Sequence, residues 1–102
     1  MLNIEKEFNE EKNRVVVKLI GRLDTMTAPN LEKELNEFIN NLDSLIIDME
    51  KLEYISSAGL RVLLASQKVM NKRGNMKVVH VNDMIIEIFD VTGFSDILTI
   101  EK

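Results

Sequence analysis

Two short apolar runs with a helical stretch between them constrain the fold more than any other feature of this sequence. The runs are SLIIDM at residues 44–49 and MKVVHV at residues 76–81, and the helical pattern runs from about Ser57 to Lys72. SLIIDM is almost wholly apolar, which is typical of a strand that is covered on both faces. Strand, helix and strand in this order predict a parallel crossover, with Gly74 ending the helix in a left-handed conformation.

The residues before this unit predict a hairpin and a first helix. Apolar residues with a period of two indicate two strands joined by a polar NEEKN turn, namely Leu2, Ile4 and Phe8, then Val15, Val17 and Leu19. The strand pattern breaks between Gly21 and Asp24. A helix with apolar residues as far as Leu42 follows, with Thr27 as its N-cap and Pro29 in its first turn.

The residues after the second apolar run predict a third helix and a weak final strand. Asn82 or Asp83 can cap this helix, Gly93 can end it, and DILTI at residues 96–100 is the final strand or an extended tail. The order is β-β-α-β-α-β-α with a possible last β. We therefore predict an α/β fold in a single domain over residues 1–102, with a mixed, mostly parallel sheet packed by α-helices.

Length, charge and cysteine content exclude several classes of protein. The 102 residues are 45% hydrophobic, which suits one compact domain, and the net charge of −4 argues against binding to nucleic acid. There are no cysteines, so disulfides and thiolate sites are excluded. No apolar run approaches the ~18 residues of a membrane span, and the N-terminus does not resemble a signal peptide. We expect a cytoplasmic protein without a membrane partner.

The residues that catalysis requires are scarce. His80 lies inside a predicted strand. Because it is the one histidine of the chain, no cluster of histidines can form to hold a metal. SSAGL is not the G-x-S-x-G turn of hydrolases, and the four glycines are too scattered for a phosphate-binding loop. Asp24, Asp43 and Asp48 could converge at strand ends, but acidic loop residues are usually only solvated. We predict a protein that is not an enzyme and has no cofactor or metal.

The junction EYISSAGLRVLL leaves two interpretations open. A serine at the start of the central helix can cap it, which is worth roughly 1 kcal/mol. A helix N-terminus also carries free N–H groups and a partial positive charge, so a phosphoryl group on Ser56 or Ser57 would be tolerated there. Such a modification would change what the surface binds while leaving the fold intact.

The central helix carries apolar residues on two faces. Leu60, Leu63, Leu64 and Met70, with Gln67, form one stripe, and Ala58, Val62, Ala65 and Val69 form the other. One stripe must meet the sheet, and the other is either covered by the first helix or left open as a docking surface. Arg61 and Lys68 lie between the stripes on the side of Ser57, where they can contact an acidic partner or remain solvated.

Three segments together resemble the STAS domain of the bacterial anti-sigma factor antagonist family, over nearly the whole chain. GRLDTMTAPNLEKEL resembles the segment G-x-[LI]-D-x-x-[TS]-A-x-x-[LF] after the second strand. LIIDMEKLEYISSAGLRVLL resembles the strand, D-S-[ST]-G-L motif and helix, and EIFDVTGFSDIL resembles the last helix and its exit.

The resemblance implies roles for named residues. The family's phosphoacceptor stands two positions before the glycine of D-S-[ST]-G-L, which is Ser57 here, because that glycine is Gly59. Ser56 stands where many members carry aspartate and is the alternative acceptor, and Ala58 replaces the second hydroxyl residue. Asp24 matches an acidic residue that supports recognition. The predicted partner-binding residues are Asp24, Ser56, Ser57, Ala58, Gly59, Arg61 and Val62.

The family's mechanism is partner switching. The unphosphorylated antagonist binds an anti-sigma factor, commonly a serine kinase, and so frees the sigma factor. Phosphorylation breaks the complex, and a serine phosphatase restores it. The alternatives are a STAS scaffold or nucleotide-binding sensor without a phosphoswitch and, with less support, a small hydrolase using Ser57 and His80.

Overall fold

Five strands form one mixed sheet in which the spatial order is the order along the chain. The computed structural model describes all 102 residues. The strands are β1 (Leu2–Asn9), β2 (Arg14–Leu23), β3 (Ser44–Ile55), β4 (Asn75–Val79) and β5 (Ile100–Glu101), and the helices are α1 (Ala28–Asn36), α2 (Ser57–Arg73) and α3 (Asp83–Thr92). β1 and β2 are antiparallel, and all later neighbours are parallel. The predicted α/β fold, hairpin and element order are confirmed.

The sequential strand order places all three helices on one face of the sheet. Parallel crossovers are almost always right-handed, so a chain that always steps to the next strand in the same direction returns on the same side each time. The prediction that residues 44–49 are covered on both faces is therefore wrong. Leu45 and Ile47 are fully buried under the helices, whereas Ile46 and Asp48 point to the open face and are only partly buried.

The core lies between the sheet and the helices, and both apolar stripes of α2 contribute to it. Leu63 and Met70 are fully buried. On the other stripe, Val62 faces Leu35 and Ile39 across a narrow gap between α2 and the end of the α1 segment. The first helix covers this stripe only in part, since Val62 is buried, Ala58 and Val69 are partly buried and Ala65 is exposed.

Strands β2 and β3 are longer than the sequence pattern predicted. β2 continues through Gly21 to Leu23, and β3 continues past Met49 to Ile55. Two register shifts interrupt the pairing of β2 with β3, one between Lys18 and Ile20 and one between Gly21 and Arg22. A bulge breaks the two-residue alternation of side chains, which is why these strand ends do not read as strands in the sequence.

The first helix is shorter than predicted. α1 ends at Asn36, and a single 3₁₀ turn at Ile39–Asn41 replaces its last part. Phe38 lies between these elements and contacts the ring of Phe8 edge to face, with 5.4 Å between centroids. This contact gives the otherwise exposed Phe8 a partner at the far end of the hairpin.

Two predictions for the region after α2 are also wrong. Gly74 is extended (φ −171°) rather than left-handed, and a Cβ atom there would overlap the carbonyl oxygen of Asp43. The glycine is thus required by close approach of two backbones. β4 ends at Val79, so His80 lies outside the strand, with a positive φ of 56°. Asn82 caps α3 and left-handed Gly93 ends it, both as expected.

Candidate partner-binding site

The candidate site lies where the carboxyl ends of β2 and β3 meet the starts of α1 and α2. Leu23 ends β2 and Ile55 ends β3, and these two residues are register partners. The backbone N–H of Ser56 donates to the carbonyl oxygen of Leu23 at 2.9 Å. This bond joins the start of α2 to β2, the strand that precedes the Asp24 turn. Two segments that are distant in sequence therefore lie side by side at the carboxyl end of the sheet.

The two serines of the junction have different roles. Ser56 is the N-cap, with extended backbone angles (φ −97°, ψ 175°), and its Oγ accepts a long hydrogen bond of 3.4 Å from the N–H of Gly59. Its carbonyl oxygen accepts from Leu60 N at 2.9 Å. Ser57 is the first residue of α2, takes no part in the cap, and is exposed. The cap and the exposed hydroxyl therefore belong to neighbouring residues.

The residues after Ser57 support the junction from below. Gly59 is buried, and a Cβ atom there would lie 2.7 Å from Leu23 Cγ and 2.9 Å from Ile55 Cγ1. Only glycine lets the helix start so close to both strand ends. Val62 is also buried. Of the predicted binding residues, Gly59 and Val62 thus shape the site from the core, and the others reach its surface.

Asp24 organises the turn between β2 and α1. Its Oδ1 accepts from the backbone N–H groups of Met26 at 3.0 Å and Thr27 at 3.1 Å. Thr27 occupies the predicted cap position but makes no capping bond, which corrects that prediction. Its hydroxyl instead donates to the carbonyl oxygen of Arg22 at 2.8 Å and accepts from Asp24 N at 2.9 Å. The turn is thus held by reciprocal bonds, in which the side chain of each of Asp24 and Thr27 accepts from the backbone N–H of the other.

These bonds also control the charge of Asp24. Partial burial disfavours the ionised carboxylate, but the N–H groups of Thr27 and Met26, the Thr27 hydroxyl and the Arg22 cation outweigh it and hold the pKa of Asp24 below its usual value. Arg22 Nε lies 3.7 Å from Asp24 Oδ2. The same guanidinium stacks 4.4 Å from the ring centroid of Tyr54. Asp24 is therefore ionised at neutral pH.

A shallow groove runs beside Ser57, between the starts of α1 and α2. Its volume is about 360 Å³, and its lining includes Ala58, Arg61 and Val62 from α2 and Thr25 and Pro29 from the α1 side. Met26, in the Asp24 turn, is 84% exposed. The structure therefore brings Asp24, Ser57, Ala58 and Arg61 to one end of the molecule.

Sequence reasoning missed three residues of this surface. Met26 is a large apolar side chain inside the polar segment DTMT, and that contrast was an available signal. Arg22 and Tyr54 meet only because β2 and β3 pair beyond their bulges, and no local pattern in the sequence marks that contact.

The other candidate residues do not join this site. His80 Nδ1 lies 3.1 Å from Asp48 Oδ1, and Asp48 points to the open face of the sheet. Asp43 lies at the opposite, amino end of β3. Three or more potential metal ligands come together nowhere in the chain. None of the helices is both long and apolar enough to cross a membrane.

Comparison with known proteins finds matches over nearly the whole chain. The STAS domain family model matches residues 3–102. The anti-sigma-B factor antagonist of Bacillus subtilis is 29% identical over 100 residues, covering 97% of this chain and 92% of that protein.

Solved structures show the same fold. The crystal structure of an anti-sigma factor antagonist from Mycobacterium paratuberculosis has a TM-score of 0.88 at 24% identity, covering 99% of this chain and 86% of that one. SpoIIAA, the Bacillus cell fate determinant in its phosphorylated form, has a TM-score of 0.72 at 16% identity, covering 100% and 92%.

Proposed function

The chain belongs to the STAS domain family, and from this premise we propose that it is a non-enzymatic anti-sigma factor antagonist that Ser57 switches. In the unphosphorylated state it binds an anti-sigma factor, itself a serine kinase, and thereby releases a sigma factor. Phosphorylation of Ser57 breaks the complex, and a serine phosphatase restores it. We place this cycle in the cytoplasm. The similarity to the anti-sigma-B factor antagonist of Bacillus subtilis supports the proposed role.

The main support for the proposal is that the two neighbouring serines have different structural roles. The side chain of Ser56 caps α2, whereas Ser57 is exposed and makes no capping bond. Transfer of the γ-phosphoryl group of ATP to Ser57 Oγ, with release of ADP and the hydroxyl proton, would leave the cap bond to Gly59 in place. The new dianion would lie at the N-terminus of a 17-residue helix, where free N–H groups and the helix dipole favour negative charge.

The surroundings of Ser57 explain how one phosphate can prevent docking. The exposed Met26 and the Ala58–Arg61 groove offer a mixed apolar and polar surface that a partner can cover. Asp24 already contributes a negative charge at the same end of the molecule. A phosphate adds close to two more charges, and a partner matched to the unmodified surface would then bury unpaired charge and lose affinity.

The experiment is affinity capture from the native lysate with three baits: wild type, Ser57→Ala and Ser57→Glu. We expect wild type and Ser57→Ala to retain a kinase-like partner that Ser57→Glu loses, and phosphosite mapping of recovered wild type to find Ser57. Ser56→Ala is the matched control, because it removes the neighbouring hydroxyl and should retain the partner. Phosphate mapped only to Ser56, or equal capture by all baits, would contradict the proposal.

One observation favours a second function, a STAS scaffold or nucleotide-binding sensor without a phosphoswitch. Ser56 stands where many family members carry aspartate, so the motif departs from the family pattern next to the acceptor. A nucleotide site would then use Asp24 as a ligand contact. Titration with ATP distinguishes the two functions: no binding, or an isotherm that Asp24→Asn leaves unchanged, removes Asp24 as a contact and leaves the antagonist proposal standing.

A further inference from the structure

Helix α3 carries an exposed apolar stripe that neither the core nor the Ser57 surface uses. Met84, Ile88 and Val91 follow one another at spacings of four and three residues, which places them on one face of the helix. Val91 is 81% exposed and Met84 is 54% exposed, although both are large apolar side chains. Ile97, which follows the helix, is 45% exposed.

This stripe differs from the other exposed apolar residues of the chain. Phe8 contacts Phe38, and Met26 stands alone in a polar turn. On α3, by contrast, Ile85 and Phe89 are buried in the core on the neighbouring face, so the apolar surface of the helix continues from the core onto its exposed side. Contiguous exposed apolar surface with a polar border marks an interaction site more often than scattered exposure does.

The charge around the stripe is of one sign. From residue 82 to residue 101 the chain has no lysine, arginine or histidine, and its acidic residues there are Asp83, Glu87, Asp90, Asp96 and Glu101. At ~100° per residue, Asp83, Glu87 and Asp90 lie along one side of the stripe. Met84 also borders the end of β3, where Glu50 and Glu53 outnumber Lys51. The apolar stripe thus has an acidic border.

We infer that α3 is a second docking surface, for a protein segment that is helical, apolar on one side and rich in lysine or arginine beside it. Charge complementarity selects this occupant. A second copy of the chain would bring two acidic borders together, and nucleic acid or an anionic membrane would meet repulsion. A basic amphipathic helix covers the apolar stripe and pairs with the acidic border at once.

This surface is distinct from the proposed switch. The Ser57 groove lies between α1 and α2, which connect β2, β3 and β4, whereas α3 connects β4 with β5 at the edge of the sheet. The inference rests on α3 alone and holds whether or not Ser57 is phosphorylated. The anti-sigma factor and the basic helix can therefore bind at the same time, because their proposed surfaces lie on different helices.

The test uses a labelled synthetic helical peptide with a leucine stripe bordered by lysines, and a second peptide with glutamates in place of the lysines. Titration into the ¹⁵N-labelled protein should shift amides at residues 83–97 with the lysine peptide only. The double variant Met84→Gln/Val91→Ser should weaken binding at least tenfold, and Glu87→Lys at least threefold. Phe8→Ser, which removes an apolar side chain of similar exposure (58%) from the hairpin, should leave the affinity for the lysine peptide unchanged.

Three results would overturn the inference: equal binding of the glutamate peptide, shifts centred outside α3, or unchanged affinity in the double variant. Sedimentation of the protein alone tests the competing occupant, since a dimer that Val91→Ser abolishes would assign the stripe to self-association. We expect the circular dichroism spectra of these variants to match that of wild type, because the substituted side chains are exposed.

Discussion

The two ends of the parallel strands are built in different ways. At the amino end, loops lock together through backbone bonds: Asp43 N–H donates to the carbonyl oxygen of Asn13 at 3.0 Å, and Asn75 N–H donates to that of Asp43 at 3.1 Å. Gly74 packs directly against Asp43. At the carboxyl end, one backbone bond, from Ser56 N–H to the carbonyl oxygen of Leu23, joins the start of α2 to β2, and a side-chain bond from Asn82 Nδ2 to the carbonyl oxygen of Leu52 joins the start of α3 to β3. Ser57 and Met26 are exposed at this end.

This difference separates stability from recognition. The backbone bonds at the amino end join the loops that precede β3 and β4 to the turn before β2, and so hold these three strands in register. Because the register is fixed at the amino end, the short loops at the carboxyl end can leave polar and apolar side chains such as Ser57 and Met26 exposed. In open α/β sheets the carboxyl ends of the strands are where ligands generally bind, and the distribution of tight and loose contacts in this chain follows the same rule.

The largest effect should come from Gly74→Ala, which tests the locked end. A Cβ atom would overlap the Asp43 carbonyl oxygen, and that atom belongs to backbone and cannot turn aside. We expect a loss of about 3 kcal/mol in the free energy of unfolding, measured by urea denaturation. The control Lys72→Ala, at an exposed position of the same helix end, should change it by less than ~0.5 kcal/mol. Equal stability of both variants would remove the contrast between the ends.

A smaller effect should distinguish the two serines at the loose end. Ser56→Ala removes the cap of α2 and should cost about 1 kcal/mol in the free energy of unfolding. Ser57→Ala is its matched control and should stay within ~0.5 kcal/mol of wild type. The assignment of cap and exposed hydroxyl would be reversed if Ser57→Ala were the more destabilised variant.

The smallest effect concerns the pH dependence contributed by Asp24. Because its pKa is lowered in the folded state, the ionised group stabilises the fold above its unfolded pKa of about 3.9, and this contribution is lost as the pH falls through the lower folded value. Asp24→Asn lacks that contribution. The difference in unfolding free energy between wild type and Asp24→Asn should therefore be largest at neutral pH and shrink below pH ~4. A difference that grows towards low pH would contradict this sign.

Local patterns in the sequence were enough to predict the order of the elements. Alternation in the hairpin, apolar runs at β3 and β4, and the caps at Asn82 and Gly93 are all set by residues within a few positions of each other. The ends of β2 and β3 were missed because bulges break the alternation, and pairing between strands supplies the missing information. Gly74 was misread for a related reason, since its constraint comes from Asp43, 31 positions away in sequence.

The candidate site was predictable only in part. The motif resemblance selected Ser57, but a helix start cannot be located to one residue from sequence alone. Only the backbone angles and the hydrogen bond of Ser56 identify which serine is the cap. That Thr27 bonds to Asp24 and Arg22 in the turn, and does not cap α1, likewise depends on the geometry of the chain between β2 and α1.

The most direct test of the account compares authentic Ser57-phosphorylated protein with wild type in two measurements on the same preparations. The first is the free energy of unfolding, and the second is the affinity for the anti-sigma factor recovered by capture. We predict that phosphorylation leaves the unfolding free energy within ~0.5 kcal/mol and weakens binding at least a hundredfold. Tight binding by the phosphorylated protein would contradict the switch. Weak binding caused by unfolding would contradict the claim that Ser57 lies outside the structural framework.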